Sequence, residues 1–353
     1  MKEIVLVIDG FKQGGAQQVY LLLIEEYLKK FHTVTLIIIN SKDNDLALPI
    51  AHNFKSYNLQ AKKIFKFSTF LRYWKIMSDL NPDYILASLY GSQILSAFFR
   101  PKSSALIWIE QNTYINRTAL HWLIMRLLKT RVSKIICVSK EVLEVTNKYL
   151  GGNTVQLPNP INFPASTKIH MRNNDFVFVG RMVEQKNPWL AINSFKVFLA
   201  RFRVDARFHI IGDGELLEDI VSYSEQLGIS KFCIFHKSLK ISDTLSVLSS
   251  SKVFISTSRI EGFGLARLEA LASGCCVITT DTGGIGEYSS LNPNLGLFLA
   301  EPNPAKIASY MDKALQDFLW TPETIGMRVS QTSRFKANIV SEQWLTRTTQ
   351  IKP

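Results

Sequence analysis

The sequence has little cysteine, and none of it is spaced for metal binding or disulfide pairing. Its four cysteines, Cys137, Cys233, Cys275 and Cys276, contain no C-x-x-C pair. A disulfide framework and a structural zinc site are therefore excluded as the basis of the fold. We predict buried free thiols and a protein of the reducing cytoplasm.

Long apolar runs are also missing. No stretch approaches the about 18 apolar residues that a membrane-spanning helix needs, and no secretory signal opens the chain. Instead, the run from Ile4 to Ile8 leads directly into a Gly-rich turn and indicates a first buried strand. We therefore expect a cytoplasmic protein that is soluble or peripheral on the inner face of the membrane.

Several catalytic signatures are absent as well. The six histidines show no metal-ligand spacing, and the G-x-S-x-G motif of a serine nucleophile does not occur. Asp43 and Asp45 form a D-x-D pattern that can hold a metal on sugar-nucleotide phosphates, but a solvated polar loop is the better interpretation. We predict neither a metal nor a cofactor.

Positive charge is what the chain has in excess, and it is concentrated in the first half. Residues 1–160 hold 20 Lys/Arg and 11 Asp/Glu, whereas the remainder holds 21 and 18. A basic half-protein suits nucleic acid, an anionic membrane surface or an anionic substrate. No helix-turn-helix spacing, zinc finger or RNP-like strand is present, so we predict that nucleic acid is not a partner.

Two domains are predicted from the 353 residues, of which 46% are hydrophobic. Short apolar strands alternate with helical patterns in both halves, which predicts two doubly wound α/β domains facing an interdomain cleft. Three prolines within residues 157–164 mark the hinge. The predicted domains are 1–160 and 161–334, followed by a C-terminal helix within 335–353. The predicted strands are 3–8, 33–39, 84–88, 105–109, 134–138, 176–180, 207–211, 232–235, 253–256 and 277–280.

A first candidate site follows the strand at 176–180. Gly180 permits a tight turn, and Arg181 and Lys186 precede a helix that Asn187 can cap and Pro188 can begin. Two cations beside a helix N-terminus can clamp a diphosphate. The alternative is that they are two solvated cations on a loop.

A second candidate site follows the strand at 253–256. This site is a glycine-rich segment that leads into a predicted helix. The glycines let the backbone approach a ligand, and Gly274 can end the helix. Carboxylates at both ends of the segment can accept hydrogen bonds from sugar hydroxyls, although incidental acids on a surface helix are the alternative. The segment consists of Glu261, Gly262, Phe263, Gly264 and Leu265, with Glu269 on the helix. A weaker signal is the Gly14–Gly15 pair before the first helix, which can approach a phosphate or a sugar.

Together, these segments resemble the retaining glycosyltransferases of family 4, which have the GT-B fold. The resemblance covers nearly the whole chain and depends on the order and spacing of the motifs. These are Gly14-Gly15, Val138-Ser139-Lys140, Leu157-Pro158-Asn159, Val179-Gly180-Arg181 with Lys186, residues 211–214, Glu261 with Glu269, and residues 282–287.

The resemblance implies transfer of a sugar, with retention of configuration, from a nucleotide-sugar donor, expected to be UDP-linked. The implied acceptor is a glycan or a lipid-linked oligosaccharide of cell-surface polysaccharide or lipopolysaccharide assembly. Arg181 and Lys186 would bind the donor diphosphate, Glu261 the donor sugar and Glu269 the ribose. Backbone amides of residues 262–265 would bind phosphate, and no metal would be needed.

One departure from the family concerns the position after the fourth strand. Relatives often carry a His there, whereas this chain has Gln111 followed by Asn112. Gln can hydrogen-bond a sugar hydroxyl but cannot transfer a proton at neutral pH. We therefore predict that Gln111 and Asn112 contact sugar or acceptor without acid–base chemistry.

The basic first half also carries aromatic side chains between its cations, at 62–67, 72–75 and 118–131. These segments suit an anionic membrane face, or equally an amphipathic core helix with a solvated basic face. Two other functions remain as alternatives to transfer. One is a non-catalytic sugar-nucleotide-binding subunit, and the other is a GT-B epimerase acting on a sugar nucleotide.

Overall fold

The computed structural model describes residues 2–12, 14–40, 47–61, 66–113, 117–164, 172–202, 204–288 and 293–349. Asp43 and Asp45 lie outside these residues. The chain divides into two compact units. Unit 1 comprises Met1–Pro160 together with Ala337–Pro353, and unit 2 comprises Ile161–Lys336.

Unit 1 is built on a parallel sheet of seven strands in the order β3-β2-β1-β4-β5-β6-β7. Its strands are β1 (Glu3–Ile8), β2 (Thr33–Ile38), β3 (Phe54–Asn58), β4 (Tyr84–Ser88), β5 (Ala105–Glu110), β6 (Lys134–Cys137) and β7 (Thr154–Gln156). Its first five helices are α1 (Gly15–Tyr27), α2 (Phe67–Leu80), α3 (Tyr90–Phe99), α4 (Ala119–Leu128) and α5 (Lys140–Tyr149).

The central strands of unit 1 are apolar because helices cover both faces of the sheet. Every residue of β2, β4 and β5 is buried. The chain moves one way across the sheet from β1 to β3 and the other way from β4 to β7. Right-handed crossovers therefore place α1 on one face and α2, α3 and α4 on the other.

Unit 2 is a parallel sheet of six strands in the order β10-β9-β8-β11-β12-β13. Its strands are β8 (Asn173–Val179), β9 (Phe208–Ile211), β10 (Cys233–His236), β11 (Ser251–Ser256), β12 (Cys276–Thr280) and β13 (Leu297–Ala300). Its helices are α6 (Pro188–Arg201), α7 (Leu217–Gln226), α8 (Ile241–Ser250), α9 (Leu265–Ala272), α10 (Pro304–Lys313) and α11 (Pro322–Thr332).

The last helix, α12 (Ala337–Thr349), belongs to unit 1 and packs against α1. The indole nitrogen of Trp344 donates to the carbonyl oxygen of Pro158 at 2.8 Å, and the indole ring is fully buried. This contact joins the final helix to the proline-rich segment that follows β7.

The predicted α/β class and all ten predicted strands are confirmed, with shifts of one to three residues at some ends. Three strands were missed. β3 is a half-exposed edge strand, β7 has three residues, and β13 has four. The first helix, α1, ends at Tyr27, and the final helix, predicted within 335–353, runs from Ala337 to Thr349.

Candidate functional site

The candidate donor residues of unit 2 lie at the carboxyl ends of two adjacent strands. β8 and β11 pair directly, although the chain leaves them in opposite directions across the sheet. In doubly wound folds such a switch point is where ligands bind. The loop after β8 carries Arg181 and Lys186, and the loop after β11 carries Glu261.

Lys186 and Glu261 are joined directly. The ammonium of Lys186 forms an ion pair with Glu261 Oε1, and both side chains are largely buried. Ser258 Oγ donates to the same oxygen at 2.7 Å. Lys186 is therefore not a solvated loop cation. Arg181, by contrast, is exposed and makes no side-chain hydrogen bond or ion pair to the residues that the structure describes.

The pKa of Glu261 reflects opposing effects. Burial alone raises it, but the positive charges of Lys186 and Arg267 and the hydrogen bonds from Lys186 and Ser258 hold it below its ordinary value. Glu261 is consequently a carboxylate at neutral pH. An ionised carboxylate accepts hydrogen bonds and donates none, which suits contact with sugar hydroxyls.

The turn that carries Lys186 is held against the loop after β11 through its backbone carbonyl oxygens. Thr257 Oγ1 donates to the carbonyl oxygens of Lys186 and Asn187, at 3.2 and 2.8 Å. The amide of Arg259 donates to the carbonyl oxygen of Gln185 at 2.8 Å. The predicted capping role of Asn187 is wrong, because this residue has φ of 50° and its side chain makes no capping bond. Pro188 does begin α6.

The glycine-rich segment forms a tight loop that opens α9. Gly264 has φ of 80°, a left-handed conformation that favours glycine, and α9 begins at the next residue. As predicted, Gly274 follows the end of α9, with φ of 86°. The first amides of any helix lack helical acceptors, so the start of α9 presents donors suited to phosphate.

A second pair of glycines packs against this loop. A side chain at Gly283 would strike the carbonyl oxygen of Glu261, and one at Gly284 would strike that of Phe263. Gly284 also has φ of 85°. The segment after β12 therefore packs directly against the backbone of the glycine-rich loop, and only glycine fits at positions 283 and 284.

Arg267 is a buried residue of the site whose role the sequence motifs do not indicate. Its guanidinium donates to Thr279 Oγ1 at 3.2 Å, to Thr282 Oγ1 at 3.0 Å and to the carbonyl oxygen of Gly283. It thereby ties α9 to the segment after β12. The available signal was a cation between the apolar residues of a short helix, a position where an idle charge is unfavourable.

Glu269 is buried within α9 and accepts a hydrogen bond from Asn162 Nδ2 at 2.9 Å. Burial raises the pKa of Glu269 to about 7, and the hydrogen bonds from Asn162 offset only part of that effect. Near neutral pH this carboxyl is therefore divided between its protonated and ionised forms. Its interpretation as an incidental surface acid is wrong.

The remaining candidates belong to unit 1. Gly14 immediately precedes α1 and Gly15 is its first residue. Gln111 Oε1 accepts from Asn159 Nδ2 at 2.8 Å, so this side chain is bound to the proline-rich segment. Asn112 Oδ1 accepts from the amide of Thr113 at 2.8 Å.

Asp9, in the loop after β1, also has a structural role. Its carboxylate accepts from the amides of Gly91 and Ser92, at 3.0 and 2.5 Å, at the start of α3. Burial raises the pKa of Asp9, and these hydrogen bonds partly oppose the shift. Asp9, directly after β1, is thus anchored to the start of α3.

Beside this loop, unit 1 contains a buried ion pair. Arg117 contacts the carboxylate of Glu110 at 3.2 Å, and Gln93 Nε2 donates to that carboxylate at 3.0 Å. The guanidinium of Arg117 also lies 4.9 Å from the ring centre of Trp122. These contacts attach the segment after β5 to α3 and α4.

Across the described ranges, no three His, Cys, Asp or Glu side chains are grouped as metal ligands. In the same ranges, no helix has both the length and the apolar character to cross a bilayer. The four cysteines are free, and all but Cys233 are buried.

The fold and the site define a class of protein. The structure of Anabaena HepE in complex with UDP and glucose superimposes with a TM-score of 0.80, covering 99% of this chain and 100% of that chain at 14% identity. This likeness and the two parallel sheets identify the GT-B fold, as predicted from the motifs.

Sequence comparisons identify the family. The model of "Glycosyl transferases group 1" matches residues 161–324, and that of "Glycosyltransferase Family 4" matches residues 13–163. The chain belongs to the family 4, group 1 glycosyltransferases.

Two relatives show how far the similarity extends. An uncharacterized glycosyltransferase of Methanocaldococcus jannaschii is 29% identical over 178 aligned residues. The alignment covers 50% of this chain and 47% of the relative, so this chain spans about half of that relative's length. A second relative, from Campylobacter jejuni, is 21% identical over 100% of this chain and 99% of its own length. Its name is GalNAc-alpha-(1->4)-GalNAc-alpha-(1->3)-diNAcBac-PP-undecaprenol alpha-1,4-N-acetyl-D-galactosaminyltransferase.

Proposed function

We propose that this protein is a retaining glycosyltransferase that moves a sugar from a UDP-linked donor to a glycan or lipid-linked oligosaccharide. The observation that carries the proposal is the Lys186–Glu261 pair at the switch point of unit 2, beside the N-terminus of α9. The names of the relatives support it, because HepE was solved with UDP and glucose and the Campylobacter enzyme acts on a PP-undecaprenol glycan. The proposed setting is cell-surface polysaccharide or lipopolysaccharide assembly.

In this proposal the residues of unit 2 bind the donor. Arg181 and Lys186 contact the diphosphate, and the amides of residues 262–265 add further donors. Glu261 accepts from hydroxyls of the transferred sugar, and Glu269 accepts from those of the ribose. The exposed guanidinium of Arg181 is available for this contact.

The proposed chemistry is front-face displacement. The acceptor oxygen bonds to the anomeric carbon as the bond from that carbon to the diphosphate oxygen breaks. The proton of the acceptor hydroxyl passes to the leaving diphosphate. Glu261 is unsuited to act as a nucleophile, because its Oε1 is engaged by Lys186 and Ser258. The protein therefore acts by positioning both substrates and stabilising the departing charge, and no metal is required.

Unit 1 is the proposed acceptor-binding unit, in which Gln111 and Asn112 contact sugar or acceptor. Gly14 and Gly15, at the start of α1, are proposed to contact the donor. The charge of unit 1 supports acceptor binding, because residues 1–160 carry a net excess of nine positive charges that suits a phosphate-linked acceptor. The free cysteines support a cytoplasmic location.

The test has two stages. A thermal-shift screen against UDP-, GDP- and ADP-sugars identifies the donor, because a ligand that binds the folded state raises the melting temperature. The stabilising donor is then incubated with diphosphate-linked glycolipid acceptors in EDTA, and the product anomer is assigned by NMR. Product with the donor's anomeric configuration is expected. An inverted product, a requirement for metal, epimerisation of the donor alone, or donor binding without transfer to any acceptor would contradict the proposal.

A further inference from the structure

A stripe of leucines faces outward on α4. Leu120, Leu123 and Leu127 are between 54% and 69% exposed and follow one another at helical spacing. Trp122 and Met125 form the opposite, buried face. The buried face of α4 packs within unit 1, whereas the three leucines on its other face are left exposed to solvent.

A second stripe runs along α2. Phe67, Leu71 and Trp74 are between 48% and 74% exposed, whereas Tyr73 and Met77 on the other side of the helix are fully buried. The spacing of the outward residues again corresponds to one face of a helix. Large apolar side chains scattered singly need no explanation, but two helical stripes in one unit do.

The two stripes lie on the same face of the sheet, with α3 between them. Tyr73 on α2 is hydrogen-bonded to Ser96 on α3 at 2.8 Å. Beyond α4, Arg131 donates to the carbonyl oxygen of Phe98, the exposed aromatic residue near the end of α3, at 3.2 Å. We refer to the outward residues of α2, Phe98 and the outward residues of α4 as the α2–α4 surface.

The charges around this surface are predominantly positive. Residues 66–131 contain nine Lys/Arg and three Asp/Glu. Two of the acids are engaged, since Glu110 is buried against Arg117 and Asp83 accepts from the amide of Glu3. The exposed cations in the described part of this stretch include Lys66, Arg72, Lys75, Arg126 and Arg131, whereas Asp79 is its exposed acid.

We infer that the α2–α4 surface docks on an anionic lipid bilayer. The leucines and aromatic rings would enter the boundary between headgroups and acyl chains, and the cations would contact lipid phosphates. Trp74 suits this depth because an indole combines an apolar ring with a polar N–H. The positive border favours an anionic lipid surface over a second copy of this chain, whose matching surface would carry the same charge.

This inference goes beyond the proposed transfer reaction and does not depend on it. Sugar-nucleotide binding is assigned mainly to unit 2, whereas the α2–α4 surface belongs to unit 1. Vesicle binding and donor binding can therefore succeed or fail separately.

The test is co-sedimentation of the full chain with vesicles of phosphatidylcholine alone and of phosphatidylcholine mixed with phosphatidylglycerol. We expect binding to the anionic vesicles that weakens as salt is raised. The triple variant Leu120→Gln, Leu123→Gln, Leu127→Gln should lose at least tenfold in vesicle affinity. The variant Lys66→Gln, Lys75→Gln, Arg126→Gln should bind more weakly and show a smaller salt dependence.

The matched control replaces three exposed apolar residues of unit 2, in the variant Leu299→Gln, Phe318→Gln, Met327→Gln. It should bind vesicles as the unaltered chain does. Every variant should keep the circular dichroism spectrum and a cooperative thermal unfolding transition close to that of the unaltered chain, which shows that each one folds. Absence of vesicle binding at low salt, equal losses in the leucine variant and the control, or a leucine-dependent dimer in light scattering without vesicle binding would overturn the inference.

Discussion

The ammonium of Lys186 is ion-paired with the carboxylate of Glu261. The two residues are 75 positions apart in sequence and lie on loops that follow neighbouring strands. The aliphatic part of Lys186 passes over Gly180, where a side chain would lie 3.5 Å from its Cγ and Cδ. An acid on the adjacent loop thus fixes the position of a cation at the switch point.

Replacing either proposed diphosphate contact should reduce turnover strongly. Lys186→Ala or Arg181→Ala should each lower kcat by about two decades or more, comparable to the loss of one oxyanion donor. Steady-state kinetics with the identified donor measure the effect. Lys306→Ala is the control, because this exposed lysine lies on α10 outside the proposed site. Near-normal turnover in both site variants would contradict the assigned roles.

Gly284→Ala should displace the glycine-rich loop. The new methyl group would overlap the carbonyl oxygen of Phe263 at a position whose φ is 85°. We expect the Kd for UDP to rise at least tenfold and the free energy of unfolding to fall by about 1–3 kcal/mol. Calorimetric titration and denaturant unfolding provide these values. Gly286→Ala is the matched control, because open space surrounds the added methyl group there. If both variants bind UDP equally well, the loop does not contact the donor.

The fold was predictable from the sequence where burial on both faces produces an uninterrupted apolar run. β1 and β4 were predicted at their observed bounds for this reason. β3 was not predicted, because its sequence, Phe54 to Asn58, alternates little and three of its residues are exposed at the sheet edge. An apolar run in the sequence indicates burial of a strand, and an edge strand such as β3 buries few of its side chains, so its sequence shows no such run.

Only part of the candidate site was predictable. Arg181, Lys186 and Glu261 are identifiable because they lie on loops directly after predicted parallel strands, and ligands of doubly wound folds bind at the carboxyl ends of such strands. Arg267 was missed because its partners, Thr282 and Gly283, come from a loop that sequence spacing does not connect to α9. The shifted pKa of Glu269 was also unpredictable, since it depends on complete burial in the folded chain.

Arg267 should be required for stability. Arg267→Ala leaves a cavity and an unpaired carbonyl oxygen at Gly283, so we expect the free energy of unfolding to fall by about 2–4 kcal/mol. Thr282→Ala removes a single acceptor and should cost about 1 kcal/mol. Urea unfolding ranks the two variants. Equal, small effects would show that the guanidinium does not hold α9 to the segment after β12.

Glu269→Gln should change the pH dependence of stability. The pKa of Glu269 is about 7 in the folded protein against an ordinary value of 4.5, so the folded state binds this proton more tightly than the unfolded state. The resulting stabilisation is complete below pH 4.5 and is lost as the pH rises to 7 and above. The Gln variant should therefore match the unaltered protein near pH 4.5. Above pH 7 it should be more stable, by up to about 3 kcal/mol.

The same proton should be linked to donor binding. If the ionised carboxylate accepts from the ribose hydroxyls, UDP binding releases the proton and should tighten as the pH rises through 7, then level off. Titrations of UDP between pH 6 and 8 test this, with Glu323→Gln as the control on the exposed start of α11. Glu269→Gln should bind UDP more weakly at pH 8 and show no such dependence. A variant that keeps the dependence would assign the linked proton to another group, because Gln cannot titrate.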